Sequence, residues 1–216
     1  MTLPIARYGF RIIGVVWVVT VLFGILAMFS LGWWTLLLFL PALLVLYFFR
    51  DPERRADSDA PHAVLAPADG KVVAVSAGSM PLSGEPASLI DIFLSVLDVH
   101  VNRSPLAGRV AATKYTQGRF LNALRASAPD LNESNLIVLE LTDGRRIAVK
   151  QIAGVIARRI VCTVRQGDVV TAGQRIGMIM FGSRTQLFIP AEAQFDPAVA
   201  VGQRVRAGET VLGHIR

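Results

Sequence analysis

The chain has 216 residues, 53% of them hydrophobic, with a formal charge of +6 and a mean hydropathy of +0.50. That hydropathy is high for an ordinary soluble domain, and a single cysteine, Cys162, excludes an internal disulfide framework. Only Lys71, Lys114 and Lys150 among the 22 basic residues are lysines, so the charge is mostly guanidinium, which pairs bidentately with phosphate and carboxylate; with no nucleic-acid recognition motif beside it, anionic lipid is the expected partner and no nucleic acid is expected.

The excess apolarity lies at the amino end. From Ile12 to Phe49 no side chain is charged, long enough for two short membrane-crossing helices that turn at Ser30–Trp34, with Trp33 and Trp34 suited to an interface. Each half holds about 17 to 19 residues against the ~20 of a full crossing, so a re-entrant hairpin or one tilted span also fits. Arg7 and Arg11 before the stretch, and Arg50, Arg54 and Arg55 after it, predict a hairpin with both ends in the cytoplasm and the remaining domain cytosolic. The stretch is too long for the apolar part of a signal peptide. Residues 1–49 are thus read as anchor, the proline-bearing 50–61 as linker and 62–216 as one β-rich domain.

Asp69-Gly70 reads as a turn between two short strands. Leu89–Val96 reads as a buried strand, and Leu97–Pro105 brings Asp98, His100 and Arg103 close together; if extended, it puts Asp98 and His100 on one face. Ala107–Tyr115 predicts a strand, Phe120–Ala126 a short helix and Leu136–Lys150 a hairpin turning at Asp143-Gly144. Apolar neighbours make Cys162 a core thiol.

Gly167–Ile176 and Gly202–Val211 form a quasi-repeat, each with glycines six residues apart and β-branched residues between them, as in the half-barrels of biotinyl and lipoyl carrier domains. Between the copies lies Phe181-Gly182-Ser183. Glycine leaves the carbonyl before Ser183 sterically open, so this hydroxyl can approach its own upstream peptide bond; the alternative is a strand ending in a turn, as at Gly78-Ser79. The fold class expected is mainly β, a compact barrel- or sandwich-like domain with few short helices behind an α-helical membrane hairpin.

Ala66-Pro-Ala-Asp69-Gly-Lys71, Asp98-Val-His100-Val-Asn-Arg103-Ser-Pro105, Gly118-Arg-Phe-Leu-Asn-Ala123, Asn132-Glu-Ser-Asn135 and Phe181-Gly182-Ser183-Arg184 occur in that order. Together they resemble the pyruvoyl-dependent phosphatidylserine decarboxylases, in the short branch with a Gly-Ser-Arg cleavage site. The resemblance implies a membrane-bound proenzyme that cuts itself between Gly182 and Ser183 into chains 1–182 and 183–216, which stay associated. Ser183 would become a pyruvoyl group, forming a Schiff base with the headgroup amine of phosphatidylserine and accepting electrons as carbon dioxide leaves. It implies His100 as proton-transfer group, Asp69 as the carboxylate assisting the base, and Asp98 as orienting His100 or assisting processing. Longer relatives carry a second histidine where this chain has Arg103; Arg103 instead binds the substrate carboxylate or phosphate, or is structural. No metal is expected, a homodimer is allowed, and the cell's inner membrane is the expected location. Three rivals remain: a membrane-anchored serine hydrolase using Ser183 and Lys150, a noncatalytic carrier-like scaffold, and a decarboxylase of archaeal-type ether lipids.

Overall fold

Residues 5–56, 62–155, 159–180 and 183–216 are described by a computed structural model of the chain; Phe181 and Gly182 lie outside the described residues. The chain divides into two compact units, Met1–Glu53 and Arg54–Arg216.

In the first unit, α1 (Phe10–Leu31) has 22 residues, of which only Arg11 is charged. At ~1.5 Å per residue it is about 33 Å long, enough for a hydrocarbon core of ~30 Å. The chain turns at Gly32, with φ at 52°, and returns through a seven-residue 3-10 helix, Gly32–Leu38, into the ten-residue α2 (Phe39–Phe48). The 3-10 coil rises ~2.0 Å per residue, so this shorter limb reaches about 29 Å. Pro41 has no N–H to offer the carbonyl of Leu37, which suits a change of helix type in that turn. Trp17 meets Phe39 at 6.2 Å between ring centroids, and the N–H of Ala6 donates to the carbonyl of Phe49 at 2.7 Å, closing the base of the expected hairpin. At its tip Phe29 and Trp33 are 93% and 88% exposed, an apolar surface of the kind that lipid covers.

The described residues of the second unit form fourteen strands: β1 (Ala63–Leu65), β2 (Gly70–Ser79), β3 (Pro86–Leu94), β4 (Val101–Arg103), β5 (Gly108–Thr116), β6 (Ser134–Glu140), β7 (Arg146–Ile152), β8 (Ile160–Cys162), β9 (Val169–Val170), β10 (Arg175–Ile179), β11 (Ser183–Pro190), β12 (Asp196–Pro197), β13 (Arg204–Val205) and β14 (Val211–His214). Eight form one curled antiparallel sheet in the order β13-β2-β3-β11-β7-β6-β5-β9, and two three-stranded sheets follow the orders β4-β10-β8 and β1-β14-β12. The mainly β fold read from the sequence is borne out.

The quasi-repeat explains this layout. In its first copy β9 closes one edge of the large sheet and β10 centres one small sheet; in its second, β13 closes the opposite edge and β14 centres the other. Corresponding glycines share their backbone: φ is 96° and 97° at Gly167 and Gly202, and 75° and 72° at Gly173 and Gly208, values L side chains rarely adopt.

Side chains alternate across the large sheet, and its register sorts them into rows. On the inner face, Ile90, Leu187, Val149 and Ile137 form one fully buried row, with Ile189, Ile147 and Leu139 in the next. Burying such side chains is worth roughly 1.5–3 kcal/mol each, and these rows are the centre of the core. Toward the amino end of β11 the rows turn polar: Thr185, Gln151 and Asn135 share one, and Ser183 lies beside Leu94 in the last. Cys162 packs half-buried against the core's edge, as expected of a core thiol.

Asp69-Gly70 lies at the expected bend between two strands, but no hairpin forms there: β1 pairs with β14 while β2 pairs with β3 and β13, so the dipeptide joins two sheets. Two expectations are corrected. Phe120–Ala126 is not helical. The Asn132 side chain bonds both the N–H (2.9 Å) and the carbonyl (2.8 Å) of Leu121, and Asn122 accepts from the N–H of Leu124 at 3.0 Å, so side chains take the groups a helix would have paired. One turn of helix, α3 (Ala128–Leu131), forms instead just after it. Finally, Ser95–Asp98 is a turn, so Asp98 and His100 do not share a strand face.

Candidate active site

Ser183 opens β11, the strand flanked by β3 and β7 near the middle of the large sheet. Its side chain is fully buried, and its Oγ has no hydrogen-bond partner among the described residues. Gly182, across the expected cleaved bond, lies outside the described residues.

One row along the inner face is a buried amide cluster. Asn102 of β4 donates from Nδ2 to Thr185 Oγ1 (3.2 Å) and to the carbonyl of Pro67 (3.3 Å), and its Oδ1 accepts from Gln151 Nε2 (2.9 Å). Gln151 Oε1 accepts in turn from Asn135 Nδ2 at 2.9 Å. Since Asn102 touches Thr185, His100 and Ser183 each stand two residues, about 7 Å of strand, from that contact. Sequence reasoning did not single out Asn102, Gln151 or Thr185; the signal available was a polar residue recurring at period two within apolar strands.

His100 is fully buried, with its carbonyl accepting from Ile179 N at 3.1 Å. Its Nδ1 lies 2.9 Å from the carbonyl of Asp98. A carbonyl only accepts, so Nδ1 carries the hydrogen and Nε2 is the basic nitrogen of the neutral ring. Asp98 therefore orients the imidazole through its backbone. Its carboxylate is used elsewhere: Oδ2 accepts from Ser95 N and Oγ at 2.8 and 2.7 Å, and Oδ1 from Arg204 at 3.1 Å.

Asp69 is held by a two-pronged contact with Arg54 and by the N–H of Ala207 at 2.8 Å. The following Gly70 is needed for closeness, because a Cβ there would fall 2.1 Å from the carbonyl oxygen of Phe93. Arg103 donates to the carbonyl of Gly173 at 3.0 Å. With Arg54, Arg55 and Arg175 it lines an open cavity of about 720 Å³ that the Thr171–Gln174 turn and Gly208 also border. Asp69 thus meets this cavity through Arg54, which lines it together with Arg103, while the buried His100 and Ser183 are not part of its lining.

Lys150 and Ser183 do not form a dyad. Lys150 pairs in register with Gln186, and Ser183 is three residues from Gln186, so the two side chains leave opposite faces of the sheet. Lys150 Nζ donates to the carbonyl of Pro129 at 2.7 Å, and burial holds its pKa below the ordinary lysine value despite the nearby carboxylates of Asp130 and Asp91.

Residues 42–213 match the family model described as phosphatidylserine decarboxylase. The chain belongs to the phosphatidylserine decarboxylase family. It is 50% identical over 174 residues to the phosphatidylserine decarboxylase proenzyme of Gluconacetobacter diazotrophicus, covering 79% of this chain and 76% of that one. The proenzyme of Desulfotalea psychrophila is 42% identical over 214 residues, 98% of this chain and 97% of its own length. That of Paraburkholderia phytofirmans is 41% identical over 213 residues, with the same coverage. Phosphatidylserine decarboxylases are carboxy-lyases, so membership names the reaction class and leaves the hydrolase and scaffold rivals without support.

Proposed function

We propose that this chain is a proenzyme that cuts itself between Gly182 and Ser183 and decarboxylates phosphatidylserine to phosphatidylethanolamine with the pyruvoyl group that Ser183 becomes. The observation that carries this reading is the Ser183 hydroxyl, buried and without a hydrogen-bond partner among the described residues, in a family of proenzymes. Such a group costs about 1–3 kcal/mol, and a site that retains one has a use for it.

Each residue has a task. Ser183 Oγ attacks the Gly182 carbonyl, and the peptide becomes an ester; loss of the Cα proton expels the Gly182 carboxylate and leaves dehydroalanine, which water converts to the ketone with release of ammonia. A serine needs a base and a fixed geometry for this, and the pairing of Ser183 with Leu94 at the start of β11 contributes to the second. His100, with Nε2 basic, moves protons during cleavage or onto the product carbon. Asp98 fixes the ring tautomer through its carbonyl, and Asp69 assists by holding Arg54 and the Ala207 amide. The pyruvoyl carbonyl supplies an electrophile for the headgroup amine and a sink for the electron pair left by carbon dioxide. Arg103, with Arg54, Arg55 and Arg175 around the same cavity, suits the carboxylate or phosphate of the headgroup.

Residues 1–49 serve as the anchor, 50–61 as linker and 62–216 as the catalytic domain, on the cytoplasmic side of the inner membrane as the flanking arginines favour. Mass spectrometry of the purified full chain tests the scheme. Fragments 1–182 and 183–216 are expected, the smaller carrying a carbonyl that borohydride reduces onto an added amine. Ser183→Ala is expected to remain whole and inactive; a single intact mass in active protein rejects the proposal.

A further inference from the structure

A strand that begins at a chain end frays, and a reacting group displaced by 1 Å can lose ~10²-fold in rate. If the chain is cut before Ser183, as the proposed function holds, something must keep residue 183 in its row. On the outer face, the next residue has the means. Arg184 Nε donates to Asp91 Oδ1 at 2.5 Å, and Gln186 Nε2 donates to Asp91 Oδ2 at 2.7 Å. The Asp91 side chain is 1% exposed and that of Arg184 12%. Arg184 Nη1 also donates to the carbonyls of Ala123 (3.3 Å) and Arg125 (3.4 Å), in the non-helical segment that follows Gly118. Lys150 of β7 holds the helical turn that follows at Pro129, and Asn132 joins Leu121 to the carbonyl of Ala153 just beyond β7.

We propose that Arg184 is a positioning residue, a clamp that holds the newly made end of β11 in register and locks the Arg119–Leu131 segment to it. Peeling residues 183 and 184 off β3 and β7 would take the guanidinium from the buried Asp91 carboxylate and leave it only the nearby Lys150 for a cation, which is unfavourable. In the uncut chain residue 183 is also restrained by the peptide bond to Gly182, so the clamp matters more to the mature enzyme than to its precursor. It rests on the self-cleavage reading and adds to it a reason why cleavage need not loosen the reacting end.

The test uses the full chain in detergent micelles with Arg184→Gln, Arg184→Lys, Asp91→Asn and the double variant Arg184→Gln/Asp91→Asn. Fragment masses report cleavage, phosphatidylserine turnover reports kcat and KM, and hydrogen exchange reports the amides of residues 184–187 against those of β6. Arg184→Gln is expected to be cleaved, to lose at least ten-fold in kcat with KM within two-fold, and to exchange at least ten-fold faster at 184–187 only. Arg184→Lys keeps a cation beside Asp91 and is expected to retain at least a third of kcat, which guards against a variant that merely misfolds. The double variant leaves no buried charge alone and is expected to recover to within three-fold. Cleaved Arg184→Gln with wild-type turnover and exchange overturns the clamp alone, as do losses that simply add in the double variant. A wild-type chain that stays whole overturns the self-cleavage reading, and the clamp with it.

Discussion

Replacing Asn102 with alanine tests whether the amide cluster beneath Ser183 is part of the framework. The side chain is fully buried and serves three partners: the Gln151 Nε2 donor at 2.9 Å, the Thr185 hydroxyl at 3.2 Å and the Pro67 carbonyl at 3.3 Å. Stranding the Gln151 donor costs about 1–3 kcal/mol. The longer bond to Pro67 adds a smaller loss, and the Thr185 hydroxyl can rotate, so the expected total is about 2–4 kcal/mol. The assay is urea unfolding of the full chain in detergent, with both proteins carrying Ser183→Ala so that each remains one polypeptide. The midpoint should fall with an unchanged m-value. Adding Gln151→Leu should give a double loss smaller than the sum of the two single losses, because the Asn102–Gln151 bond can be lost only once, while Gln151→Leu by itself also strands the Asn135 donor. A loss below about 1 kcal/mol, or a double variant in which the losses simply add, refutes the reasoning.

Lys150→Met is expected to keep turnover within two-fold, since Lys150 faces away from Ser183; a loss beyond ten-fold would revive the dyad. The folded lysine has its pKa below 10.5, so between the two values the unfolded chain binds more protons and stability rises with pH. The methionine variant should flatten that alkaline rise in pH-dependent melting while changing neutral-pH stability by less than about 1 kcal/mol. Gly208→Ala should cost about 1–3 kcal/mol in thermal unfolding, because φ is 72° and the new Cβ would sit 2.7 Å from Arg103 Cδ; Gly144→Ala, at φ 87° with open space around it, should cost less. His100→Gln should lower decarboxylation by ~10²–10⁴-fold with unchanged circular dichroism, and normal turnover would remove His100 as the proton-transfer group.

The apolar helical run was legible because no side chain from Ile12 to Phe49 is charged, and the repeat because glycines six residues apart mark positive-φ turns. The Leu136–Lys150 hairpin was equally plain, since its two strands meet through a local turn. Local pattern failed where distant partners decide. Nothing near Asp69 announces that the strands on either side of it join different sheets. Phe120–Ala126 carries a helical pattern, yet Asn132, eleven residues beyond Leu121, claims its backbone. Parity separates Lys150 from Ser183 only once β7 is known to pair with β11, and Asn102 meets Gln151 across 49 residues. His100 and Asp98 are only two residues apart in sequence, but which atom of Asp98 serves the ring depends on the turn at Ser95.

The place of β11 in the large sheet, with three strands beyond it on one side and four on the other, has a consequence for the lifetime of the enzyme. A precursor assembles as one molecule, at a rate indifferent to dilution. If the chain is severed before Ser183, as proposed, a denatured copy would be two peptides, and the shorter would hold a strand that must be threaded back between β3 and β7 of the longer. Recovery would then depend on concentration, so heat or denaturant that an uncut chain survives by refolding would retire the mature form for good.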